Sequence, residues 1–139
     1  MGVTLGIDYG RKRIGVAVSD AGGRIASPLT QIDAADRARA INAIAKTAAE
    51  YEAAEIVVGL PVSLNETLGP MAREVAEFAG QLRAAVKIPV NTFDERFTTA
   101  EAERSLIDAD LSRAKRKRRL DKVAAQIMLQ AYLDSRGKS

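Results

Sequence analysis

The chain has 139 residues, enough for one domain with its own core, and 47% of them are hydrophobic, which excludes a largely disordered polymer. It contains no cysteine and no histidine, so disulfides, thiol nucleophiles, thiolate zinc sites and the usual neutral-pH general base are all excluded. Aromatics at 4% make base-stacking platforms scarce, and a net charge of +3 does not by itself mark a polyanion partner.

Two short apolar runs, Val3-Thr4-Leu5-Gly6-Ile7 and Ile14-Gly15-Val16-Ala17-Val18, flank the basic turn Asp8-Tyr9-Gly10-Arg11-Lys12-Arg13. Glycine-bounded runs of this kind read as two strands of a hairpin. Ala21-Gly22-Gly23 then turns the chain into a third strand over residues 24–32. Pro28 cannot donate to a ladder, which puts that strand at an edge. Asp33 or Asp36 caps the next helix, whose buried stripe reads Ala38, Ile41, Ala45, Ala48 and Tyr51.

Glu55-Ile56-Val57-Val58-Gly59-Leu60 is a short apolar run that suits a buried parallel strand ending at Pro61. The polar stretch 62–69 is a loop with Asn65 and Gly69 as turn formers. Pro70 fits the first position of a helix that buries Met71, Val75, Phe78, Leu82 and Val86. Residues 88–93 form the next strand, followed by Asp94-Glu95-Arg96. Thr98-Thr99-Ala100-Glu101 is a capping-box pattern that opens a helix carrying Ala102 and Leu106 inward. Residues 108–118 show no periodicity and are expected to form a mobile loop; six of the seven residues 113–119 are basic. The last helix, about residues 120–134, is apolar through Val123, Ala124, Ile127, Met128, Ala131 and Tyr132. No run is apolar enough to span a bilayer and Asp8 interrupts any signal-peptide pattern, so the expected location is the cytoplasm, with no membrane partner.

The order β-β-β-α-β-α-β-α-α predicts a single α/β domain over residues 1–139, with a five-stranded mixed sheet flanked by helices. The first three strands form an antiparallel meander; helical crossovers make the first, fourth and fifth parallel. Their carboxyl ends then share one rim, where open α/β sheets place their sites. That rim gathers Asp8 with Asp94 and Glu95. Asp121 falls in the first turn of the last helix, on a line with Ala125, Met128 and Tyr132. Clustered carboxylates need a compensating cation, and hard oxygen donors suit Mg2+ or Mn2+. Two such ions about 3.5–4 Å apart support in-line phosphoryl displacement without any histidine. Each residue also has a plainer role: Asp121 as a helix cap, Asp94 as a turn former, Glu95 as a surface charge, the basic residues as solvated loops. Alternation sends Asp94 and Glu95 to opposite faces and does not say which one faces the site.

The motifs GIDYGRKRIGVAVSD, VVGLP with a polar loop ending LGPMA, DERFTT and LDKVAAQIMLQAYL resemble the YqgF (RuvX) family in sequence and order, over nearly the whole chain. The resemblance implies a ribonuclease H-like fold, kinship with Holliday junction resolvases, and an activity maturing the 5′ end of pre-16S ribosomal RNA. Carried over motif by motif, it implies Asp8, Glu95 and Asp121 as the catalytic, metal-holding acids. The wider ribonuclease H-like group often has an acid at the end of its fourth strand, where this chain reads Gly59-Leu60-Pro61.

The leading expectation is therefore a divalent-metal-dependent endonuclease on structured nucleic acid, with precursor ribosomal RNA as substrate. Its candidate substrate contacts are Arg11, Lys12, Arg13, Asn65, Arg96, Lys115, Arg116, Lys117 and Arg118. Resolution of four-way DNA junctions is the runner-up; symmetric cleavage would want a dimer, and the sequence shows no obvious dimer face. Two further readings are a nucleotide-phosphate-binding hairpin, as in the actin and sugar-kinase group, and a nucleic-acid-binding module without cleavage. The first needs two such domains and this chain supplies one; the retained acids argue against the second.

Overall fold

A computed structural model describes residues 2–61, 69–95 and 113–137, without the side chains of 113–122 and 137. Five strands, β1 (Thr4–Asp8), β2 (Arg13–Ser19), β3 (Ala26–Asp33), β4 (Glu55–Leu60) and β5 (Val90–Asp94), form one sheet in the order β3-β2-β1-β4-β5. β1 pairs antiparallel with β2 and parallel with β4; β4 pairs parallel with β5. This is the predicted mixed sheet of a ribonuclease H-like fold. β3 is an edge, as Pro28 requires, and its register with β2 shifts between Val16 and Ala17. The preceding turn is held by Asp20, whose carboxylate accepts from the backbone N–H groups of Arg24 (2.8 Å) and Ile25 (3.0 Å). Those bonds, Ile25's foremost, hold Asp20 below the usual carboxylate range.

Helices α1 (Arg37–Glu50) and α2 (Pro70–Ala85) cover one face of the sheet and α3 (Arg113–Gly137) covers the other. Asp36 caps α1, accepting from Arg39 N–H at 3.2 Å, and Pro70 opens α2. The core on the α1/α2 side takes Leu5, Ile7, Ile14, Val16, Ile56 and Val58 from the strands. The α3 side takes Ala17, Val57, Ala125, Met128 and Leu129. Each central strand therefore buries both faces, and period-two alternation assigns every residue to one side.

Three sequence expectations change. α1 buries Ala40, Ile41, Ile44 and Ala48, whereas Ala38 and Tyr51 are exposed; an alanine-rich helix fits more than one apolar stripe. α3 buries Val123, Ala125, Met128, Leu129 and Leu133, with Ala124, Ile127, Ala131 and Tyr132 half-buried. What fixes its rotation is space on the sheet: a Cβ on Gly6 would stand 2.8 Å from that of Leu129. Finally, residues 113–119 are helical, not a loop. Periodicity reports burial, whereas Ala, Lys and Arg form helix on intrinsic propensity alone. The helix expected to open at Thr98-Thr99 lies outside the described residues.

Candidate active site

Asp8 is the last residue of β1 and pairs with Gly15 of β2. On the other side Ile7 pairs with Val58, so the next residue of β4, Gly59, stands level with Asp8. Alternation from Leu5 and Ile7, which face α1 and α2, turns Asp8 toward α3. Gly59 faces the same way: a Cβ built on it would lie 3.1 Å from Met128 Cγ. The same point is 2.6 Å from Glu95 Oε1. The carboxylate of Glu95 therefore lies over Gly59, in the space a side chain there would fill. That is about one strand spacing, 4.7–4.9 Å, from the backbone of Asp8.

This contact decides between the two acids that end β5. Val90 joins the core under α1 and α2, while Phe93 packs with the α3 core. Glu95 follows Phe93's side and Asp94 the opposite one. It also accounts for Gly59 at the position where an acid was looked for. The carboxylate comes over from the neighbouring strand, and glycine leaves it room. Asp8 and Glu95 are both half-buried and both have interaction partners.

α3 runs antiparallel to β1 and β4. Tyr132 and Arg136 bond Glu55 at the start of β4, and Met128 lies over Gly59 near its end. Asp121 is seven residues before Met128, so its backbone is about 10 Å further on, beyond the carboxyl rim. Because α3 begins at Arg113, Asp121 lies two turns inside the helix, which removes the N-cap reading. Its side chain lies outside the described residues. Among the described residues no three acidic groups are gathered closely enough to hold a cation. The donor set nevertheless suits one: carboxylate oxygens, with Glu95 over Gly59 and Asp8 level with it on the next strand, in a chain with no cysteine or histidine.

The pattern of the RuvX family, described as Holliday junction resolvase, matches residues 2–135. The chain belongs to the RuvX family. A relative from Thermoanaerobacter pseudethanolicus is 48% identical over 132 residues, covering 94% of this chain and 95% of its own length; one from Roseiflexus sp. is 43% identical over 134, covering 96% and 95%. Both carry the name "Putative pre-16S rRNA nuclease". Among solved structures, T. thermophilus RuvC in complex with a Holliday junction substrate superposes with a TM-score of 0.64 at 14% identity, over 100% of this chain and 98% of that one. The fowlpox virus Holliday junction resolvase gives 0.57 at 12% identity, over 96% and 99%. At these identities the likeness is one of fold.

The basic residues expected to meet substrate are dispersed around this RuvX-family rim. Arg11 leaves the hairpin tip toward α2 and pairs with Glu74 at 3.2 Å. Lys12 is exposed, and Arg13 lies on the α3 side of β2 by alternation with Ala17. Asn65, Arg96 and the side chains of Lys115, Arg116, Lys117 and Arg118 lie outside the described residues. Beneath the hairpin, Tyr9 hydroxyl donates to Glu74 Oε2 at 2.8 Å and accepts from Arg37 Nη2 at 3.3 Å. The Tyr9 bond first, then Arg11, hold Glu74 below the usual carboxylate range. Of the two glycines flanking Asp8, Gly59 stands out in the sequence as the point where no acid stands, whereas Gly15 does not; a glycine just inside the β2 run was the available signal.

Proposed function

We propose that this protein is a divalent-metal-dependent endonuclease that hydrolyses phosphodiester bonds in structured nucleic acid, with the precursor of 16S ribosomal RNA as its substrate. The observation that carries the reading is the Glu95 carboxylate lying over Gly59 beside Asp8, on the rim that α3 overhangs. Asp8, Glu95 and Asp121 would hold Mg2+ or Mn2+. A cation bound there supplies the charge neutralisation and water activation that in-line phosphoryl displacement needs. The protein's own part is to fix the acids: the β1–β2 ladder holds Asp8 opposite Gly15, the β1–β4 ladder holds Ile7 just before it, and the gap at Gly59 admits Glu95. Asp94, on the opposite face, takes no part. Arg13, Lys12 and the basic first turns of α3 steer the phosphate backbone toward this rim without reading its sequence. Substrate choice rests on the names borne by relatives at 43–48% identity, and a cytoplasmic location beside assembling ribosomes goes with that substrate. Among the described residues no helix is long and apolar enough to cross a membrane.

A second reading, resolution of four-way DNA junctions, is favoured by the family description and by the fold shared with RuvC. It requires two active sites and hence a dimer. One experiment separates the two: labelled precursor 16S RNA and a labelled four-way junction, each incubated with the protein and Mg2+, Mn2+ or chelator. Metal-dependent cleavage of the RNA, with the junction intact, is the expected result. Preferential cutting of the junction by a dimer supports the second reading. Folded protein that cuts neither with either metal overturns both.

A further inference from the structure

We propose that Tyr9, through its hydroxyl bond to Glu74, is a positioning residue that fixes where the Asp8 carboxylate stands. The inference rests on the reading of Asp8 as a metal-holding acid. Asp8 is the last residue of its strand: its pair with Gly15 holds one side, and the pairing of β1 with β4 runs as far as Ile7 and Val58. The next residue goes to the opposite face. Tyr9 packs its ring on Phe78 of α2, centroids 4.7 Å apart. Its hydroxyl donates to Glu74 on the same helix and accepts from Arg37 of α1. Arg37 in turn donates to Gln81 at 3.3 Å, and Arg11 ties the far side of the turn to Glu74.

After Tyr9 the chain has little slack. A Cβ on Gly10 would stand 2.5 Å from the Arg13 carbonyl oxygen, so the hairpin closes tightly behind it. The backbone of Asp8 is thus held from one side by a strand and from the other by a residue anchored to a helix. A carboxylate meant to hold a cation must keep its place within about half an ångström, which the last residue of a strand reaches best when the residue after it is anchored as well. Pinning Tyr9 supplies that anchor without touching the site.

The hydroxyl can be removed while the ring stays. Tyr9→Phe and Glu74→Ala should each weaken Mn2+ binding, measured by titration calorimetry, by about fivefold. Each should lower kcat by roughly five- to tenfold with KM for nucleic acid within twofold of wild type. Glu74→Gln keeps an acceptor for the hydroxyl and should recover most of both quantities. Amide exchange at residues 8–10 should quicken in Tyr9→Phe while the melting temperature stays close to wild type. Wild-type Mn2+ affinity and kcat in Tyr9→Phe, with cleavage abolished in Asp8→Asn, would overturn the positioning role and leave the acid site standing. Wild-type cleavage by Asp8→Asn would instead remove the acid-site reading on which the role depends.

Discussion

Two acidic positions lie under α3, at opposite ends of the same central strands, and they are built on opposite principles. At the amino end of β4, Glu55 is ringed by donors: Thr4 Oγ1 (3.2 Å), Asn91 Nδ2 (3.2 Å), Tyr132 hydroxyl (2.9 Å) and the Arg136 guanidinium. Phe93 meets the Tyr132 ring edge-on at 5.5 Å, and the Arg136 guanidinium sits 5.4 Å from its centroid. That end ties the last turns of α3 to three strands. At the carboxyl end, the Glu95 carboxylate lies over Gly59, level with Asp8 on the neighbouring strand, and a glycine makes the room. A carboxylate surrounded by unlike charge and hydroxyls stabilises a structure; carboxylates gathered together cost stability until a cation arrives. The contrast separates the end of the molecule that holds it together from the end proposed to hold the metal.

The largest expected effect belongs to the working end. Asp8→Asn is nearly isosteric and removes one charge of the proposed metal site, so cleavage should fall by at least ~100-fold, about 2.7 kcal/mol of barrier, with the fold intact. Cleavage assayed on the folded variant checks this, and wild-type activity would erase the distinction between the two ends.

Removing positive charge from the start of α3 comes next. Because that segment is helical, replacing Lys115, Arg116, Lys117 and Arg118 with alanine preserves the helix and isolates the charge. If all four meet phosphates, the slope of log affinity against log salt should shrink by roughly 3 units. The loss should be about equal across substrate sequences, with cleavage at saturation changed far less than in Asp8→Asn. An unaltered salt slope would leave the run as solvated surface.

Gly59→Ala tests the contact that defines the site. The new methyl must displace the Glu95 carboxylate and press on Met128 Cγ, so cleavage should fall by about 10-fold, and thermal unfolding should shift only slightly, since the nearest neighbour is the far end of a flexible side chain. Gly6→Ala makes the matching intrusion two residues before Asp8, against the Cβ of Leu129. It should cost about 1–3 kcal/mol of stability through overpacking, read from chemical denaturation. Equal effects of the two on stability would show that Gly59 serves packing and not the acid.

The smallest effects belong to the structural end. Tyr132 is pushed above the usual tyrosine range, by burial first and then by its bond to Glu55. A folded pKa above the unfolded value of about 10 means that its contribution is complete below pH ~10 and is lost as the pH rises through the folded value. Denaturation midpoints should therefore decline above pH 10, and Tyr132→Phe should flatten that decline. Glu55→Gln should lower stability modestly, on the order of 1 kcal/mol, since Arg136 is half exposed, and should leave cleavage of the folded protein near wild type. A hundredfold loss of cleavage in Glu55→Gln would mean that the two ends are not separate.

By itself the sequence determined the five strands, α1, α2 and the later part of α3, their order and the rim. Short β-branched runs between glycines, Pro28 at an edge and Asp36 before a helix are local statements, and local sterics and hydrogen bonding enforce them wherever the chain goes. Right-handed crossovers then leave Asp8 and the end of β5 little choice of position. The tertiary structure decided what depends on neighbours distant in sequence. Which of Asp94 and Glu95 shares the α3 face with Asp8 follows from the core under Phe93 and from the gap at Gly59, 36 residues before Glu95. The rotation of α3 was settled by Gly6 and Gly59, since its apolar residues alone would admit several faces. The helical start of α3 escaped the apolar pattern because such patterns record what a helix buries and are silent where a helix is held by propensity. Glycine carries no pattern of its own; its meaning lies in what the fold brings into the space it leaves.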